Sequence, residues 1–124
     1  MYPCPSCGFL MFSTPPGSDE EICDICLWQD DASSLRFATI PDGPNKVSLI
    51  EAQKNFAAYG AAEPRLRAQA RAPTPADRRE PGWRPIDPKI DVFENPHSGS
   101  ATRWPDDTTT LYYWRPNYWL KPQG

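Results

Sequence analysis

Apolar positions along this chain come in short, interrupted runs. Gly8-Phe9-Leu10-Met11-Phe12-Ser13-Thr14 is one such run, and Pro15-Pro16-Gly17 stops it, which reads as a strand followed by a turn. A second short strand leads into Ile22. Residues 32–44 pass through Leu35, Phe37 and Ile40 to a turn at Pro41-Asp42-Gly43-Pro44 and read as irregular. The clearest element follows. In Ser48-Leu49-Ile50-Glu51 the Ser48 oxygen can accept from the Glu51 backbone N–H while the Glu51 carboxylate reaches back, a capping box. Leu49, Ala52 and Phe56 then share one helical stripe, Ile50 and Ala57 widen it, and Gly60 ends it. Glu63-Pro64 starts a second short helix, expected to run to about Arg71 before Pro73. Residues 72–96 hold six prolines and read as an extended arm, wrapped on the domain or linking, with one helical turn at Thr74 to Asp77. Lys89 to Glu94 and Thr108 to Trp114 carry the alternation and the β-branched and aromatic content of short strands, with a loop at Asn95 to Gly99 between them.

Composition sharpens this picture. Sixteen Pro and seven Gly occupy 23 of 124 positions, which argues against a helical bundle and against a large regular sheet. No apolar run approaches the ~20 residues of a membrane helix, so a soluble single domain with a modest core is expected, in need of a staple. Met1 to Leu10 lacks the basic and long apolar regions of a secretory leader, which makes the cytoplasm the expected location, where thiols stay reduced. The net charge of −3 is uneven. Residues 1–62 hold eight acids against three bases, and residues 63–124 ten bases against eight acids. An acidic first half repels phosphate, so a basic protein is a better expected partner than nucleic acid.

The four cysteines carry the chemistry. Cys4, Cys7, Cys23 and Cys26 form C-x2-C-x15-C-x2-C, a spacing at which two turns each aim two thiolates at one ion. Four thiolates close a tetrahedral shell and leave no position for water, so Zn2+ held here is expected to be structural. Iron accepts the same ligands. A dithiol redox pair at Cys4 and Cys7 is the other alternative, although its flanks lack the βαβ pattern that supports such pairs.

Three blocks add specificity. Tyr2-Pro3-Cys4-Pro5-Ser6-Cys7-Gly8, then Glu21-Ile22-Cys23-Asp24-Ile25-Cys26-Leu27-Trp28-Gln29-Asp30-Asp31, then Gly43-Pro44-Asn45-Lys46-Val47-Ser48-Leu49 with Glu51-Ala52 and Asn55-Phe56, resemble the bacterial cysteine-rich CPCC family over roughly residues 1–75. Ser6 departs from the family at the third letter of its name and Asp24 at a common proline, and neither change removes a ligand. The resemblance implies a small cytoplasmic protein without an established reaction, some relatives of which sit beside toxins as candidate immunity proteins. The C-terminal third lies outside the shared region.

Catalytic candidates are weak. His97 is the single histidine and falls in a sequence that reads as a loop, and Ser98 and Ser100 are too loosely placed to form a relay with it. No phosphate-binding glycine motif occurs. Asp30-Asp31 and Asp106-Asp107 read as solvated turns. Arg65, Arg67, Arg71, Arg78, Arg79 and Arg84 with Trp83 would hold phosphate and stack a base, or else pair with the acidic first half. Trp104, Tyr112, Tyr113, Trp114, Tyr118 and Trp119 gather six aromatic residues near the C-terminus, either as core or as binding anchors.

The sequence therefore predicts a small α+β protein: a zinc-ribbon-like module with a capped helix over residues 1–71, then a proline-rich arm and a short β C-terminal segment over residues 72–124, packed on the same domain. The expected function is non-catalytic binding, most simply immunity-type inhibition of a cognate toxin. Trp104, Tyr112, Trp114, Tyr118 and Trp119 are the expected anchors, and Asp30 and Asp31 the expected acidic contacts. A zinc-ribbon accessory of nucleic-acid metabolism is the alternative.

Overall fold

A computed structural model describes residues 1–41, 43–94 and 103–120. The fold is small and α+β. Strand β1 (Tyr2–Pro3) pairs antiparallel with β2 (Leu10–Phe12), with an irregularity in register between Tyr2 and Pro3. The predicted strand near Ile22 is reduced to a single bridge between Ile22 and Gln29. Helix α1 (Ala32–Arg36) occupies the stretch expected to be irregular. Asp31 caps it, accepting from Ser34 N at 2.9 Å, and Leu35 and Arg36 are buried. At five residues it is too short for apolar periodicity to announce it.

Helix α2 (Leu49–Tyr59) forms where its caps predicted. Ser48 Oγ accepts from Glu51 N, and Gly60 ends the helix at φ 77°, a left-handed conformation that glycine adopts without strain. Leu49 and Ala52 on its apolar stripe are fully buried. The second helix is only the 3-10 turn Pro64–Leu66.

The arm is wrapped on the cysteine module. Leu10 N donates to Arg78 O at 2.8 Å and Glu80 N to Gly8 O at 2.8 Å, around a bridge between Phe9 and Arg79. The predicted helical turn is present, with Asp77 N donating to Thr74 O.

The expected β C-terminal segment is not found among the described residues. Lys89 and Ile90 lie in a turn closed by Asp91 N donating to Asp87 O, and Thr108–Leu111 is a 3-10 helix packed on α1. Asp107 initiates that helix by accepting from Thr109 N. The aromatic run then turns back on itself and buries Tyr112, Tyr113 and Trp114 together. One apolar cluster joins the cysteines, Phe12, Trp28, Leu49 and these C-terminal rings. The loop at Asn95 to Gly99, with His97, Ser98 and Ser100, lies outside the described residues.

Candidate metal centre

The two cysteine turns have the same backbone wiring. In the first, Cys4 N donates to Phe9 O and Gly8 N to Cys4 O, and in the second Cys23 N donates to Trp28 O and Leu27 N to Cys23 O. The residue after each second cysteine has positive φ, 84° at Gly8 and 68° at Leu27. A leucine in that region costs about 1–2 kcal/mol, so the second turn holds a conformation its sequence does not favour. Strain of this kind persists where surrounding structure fixes it.

The four sulfurs converge. All four cysteines are fully buried and their Sγ atoms lie within 4.8 Å of one another. Cys4 Sγ is 3.6 Å from Cys26 Sγ, and Cys7 Sγ is 3.8 Å from Cys23 Sγ. A disulfide needs about 2.05 Å, so neither pair is bonded. An ion with metal–sulfur distances of about 2.3 Å in a tetrahedron has sulfur–sulfur edges of about 3.8 Å, which these separations match. The donor set therefore fits a metal ion.

Electrostatics point the same way. Burial pushes the Cys4 thiol well above its ordinary value, and the hydrogen bond shared with Cys23 pushes Cys7 up. The neighbouring thiols, Cys26 first and then Cys4 and Cys7, hold Cys23 low. Without a cation the cluster keeps its protons on some sulfurs, and a bound cation reverses that balance by stabilising every thiolate.

A second layer of contacts positions the turns through their carbonyls. Pro5 O accepts from Gln53 Nε2 on α2 at 3.0 Å and from Trp83 Nε1 at 3.2 Å. Cys7 O accepts from Arg79 Nε at 2.9 Å, whose guanidinium stacks on Phe9 and Trp83. Cys26 O accepts from Ala62 N and Ile25 O from Arg71 N. Gln53 is a buried hub, because its Oε1 also accepts from Ile86 N and its Nε2 donates to Tyr113 Oη. Sequence reading missed Gln53, Trp83 and Arg79 in this role, since bonds to backbone carbonyls leave no motif.

The turns, their ligands and α2 all fall in the stretch, residues 2–77, that matches the family model for cysteine-rich CPCC proteins. The chain belongs to the cysteine-rich CPCC family. No curated protein and no solved structure gives a significant match. In this CPCC protein Ser6, at the position of the departing letter, is buried beside the ligands with its hydroxyl unpaired among the described residues.

The other predicted site residues scatter. Tyr112, Trp114 and Tyr118 are buried in the core and present no ring to a partner, a correction to their expected role as anchors. Asp30 is also buried, accepting from Gly17 N at 2.9 Å, and Asp31 caps α1. Trp104, 41% exposed, and the half-buried Trp119 remain at the surface. Three of the six arginines of the basic stretch pair with acids of the second half: Arg65 with Glu63, Arg71 with Asp77 and Arg84 with Asp91. Among the described residues no helix is long and apolar enough to cross a membrane.

Proposed function

We propose that this CPCC protein is a non-catalytic binding module stapled by structural zinc, acting as an immunity-type inhibitor that occludes a cognate toxin in the cytoplasm. The observation that carries the reading is the complete burial of four converging cysteines, which offers a metal a closed thiolate shell and no position for substrate or water. The antiparallel pairing that closes each cysteine turn supports a zinc-ribbon-like module. Buried thiols also suit dithiol exchange poorly, because the attacking sulfur has to be reached. Family kinship supports the immunity role, and the acidic first half suits a basic partner.

The nucleic-acid accessory reading loses support because three of its arginines already hold carboxylates. Elemental analysis is expected to find about one zinc per chain, the adjacent gene is expected to encode a large protein with a toxin-like C-terminus, and co-expression is expected to protect cells from that toxin. A metal-free folded protein, or submicromolar DNA or RNA binding lost in Arg78→Ala/Arg79→Ala, overturns the reading.

A further inference from the structure

Four thiolates around one divalent ion leave a net charge of about −2, and all four cysteines are fully buried. Buried charge without a counter-charge is costly, so the loaded centre needs a cation nearby. Two arginines reach the cysteine turns, and they differ. Arg71 donates its backbone N–H to Ile25 O, but Asp77 takes its guanidinium through two bonds of 2.8 and 3.0 Å. That charge is cancelled. Arg79 donates from Nε to Cys7 O at 2.9 Å and holds no carboxylate among the described residues. Its sequence neighbour Glu80 is held by Arg115.

Arg79 is also fixed in place. Its Cζ lies 4.7 Å from the centroid of Phe9 and 4.8 Å from that of Trp83. Aromatic faces attract a cation without neutralising it. Trp83 is itself anchored on the first turn, donating from Nε1 to Pro5 O and lying so close to Gly8 that a Cβ there would sit 2.5 Å from the indole. The carbonyl oxygen and the sulfur of one cysteine are at most about 5 Å apart through its bonds, so Arg79 Nε lies within roughly 8 Å of the Cys7 sulfur. That is no farther than the screening length of about 8 Å at physiological salt.

We infer that Arg79 is the counter-charge of the metal centre: held by Phe9 and Trp83, it tightens metal binding through its positive charge as well as through its hydrogen bond to the first turn. The inference rests on the reading of the cysteines as a zinc site and names a residue outside the ligand set that governs its affinity.

The test is zinc affinity of the full chain, measured by competition with a chromophoric chelator at low and high salt. Arg79→Gln keeps an N–H donor and removes the charge, Arg79→Met removes both, and Arg79→Lys keeps the charge. The Gln and Met variants are each expected to bind zinc about tenfold or more weakly, and the Lys variant to stay within about threefold of the native chain. Arg78→Met, which removes an equal charge one residue away, is expected to change affinity by about twofold at most. Arg79 is exposed, so the ratio between native and Gln affinities is expected to shrink as salt rises from about 0.05 to 1 M. The visible bands of the cobalt-loaded variants are expected to stay where the native chain has them, since no ligand moves. Native affinity in Arg79→Gln, a Lys variant as weak as Arg79→Met, or a ratio indifferent to salt overturns the inference, and shifted cobalt bands overturn it in favour of a brace that only shapes the turn. If Arg79→Met fails to fold, the Gln and Lys variants still decide. A native chain that binds no zinc removes the zinc reading and this inference with it, whereas tight native binding matched by Arg79→Gln removes this inference alone.

Discussion

Asp30 is buried against its own charge. Burial raises its carboxyl to about 6, with Asp31, Glu21 and Asp19 adding to the shift and the Gly17 N–H opposing it. The folded state thus holds this proton more tightly than the unfolded chain, whose aspartate titrates near ~3.9, and the group's contribution improves as pH falls from 7 through 6 toward 4. At pH 7 the ionised form costs on the order of 1–3 kcal/mol. Asp30→Asn keeps an oxygen for Gly17 N–H and is expected to be more stable than the native chain at pH 7.5, with the gain shrinking toward pH 5. The comparison is between the two proteins at each pH, because titration of the cysteine cluster shifts both. A difference in denaturant midpoint that does not change with pH would refute this account. Gly8 supplies a second residue-level test. A Cβ there would lie 2.5 Å from Trp83 Cδ2 at φ 84°, whereas Gly82, also at φ 84°, has nothing within 4 Å. Gly82→Ala is expected to show the backbone cost alone, about 1–2 kcal/mol, and Gly8→Ala that cost plus displacement of the indole from Pro5 O. Equal losses in urea unfolding would mean that Trp83 does not brace the turn.

Among the elements, α2 rests on its first cap. Ser48→Ala removes the acceptor for Glu51 N and is expected to cost about 1 kcal/mol, measured as a fall in the urea midpoint, while Ser48→Asp is expected to hold stability. An unchanged Ser48→Ala would show that packing of Leu49 and Ala52 alone holds the helix. This element was legible because its signals are local: a cap, a stripe and a glycine stop. Helix α1 was not, since its evidence is one capping aspartate and three buried side chains, Ser34, Leu35 and Arg36, in a stretch too short to show a period. The segment from Thr108 to Trp114 misled for the opposite reason. Its aromatic and β-branched residues favour strands, but among the described residues no neighbouring strand is there to pair with, and the rings bury better in a turn against α1 and the cysteine module. The metal ligands could be read from spacing, while the carbonyl contacts that aim them depend on where residues 53, 79 and 83 arrive in space.

Across the whole molecule the cysteine cluster is a junction and not an appendage. Its turns are held by Gln53 from α2, by Ala62, by Arg71, Arg79 and Trp83 of the following segments, and Gln53 in turn contacts Tyr113 of the C-terminal core. With zinc in place, as proposed, metal binding of about 10–16 kcal/mol is comparable to the entire 5–15 kcal/mol stability of an ordinary domain. The two β-strands together span five residues, and a sheet that small adds little stability of its own. Removing the metal with a strong chelator is therefore expected to unfold the chain cooperatively: the helical signal of α2 and the near-ultraviolet signal of the Tyr112, Tyr113 and Trp114 cluster should vanish together and return on adding zinc. Cys23→Ser, which leaves three thiolates, is expected to behave like the chelated protein. If the aromatic signal survived chelation while only the signal of the N-terminal turns changed, the C-terminal core would be an independent unit, and the metal would serve a local purpose instead of stapling the fold.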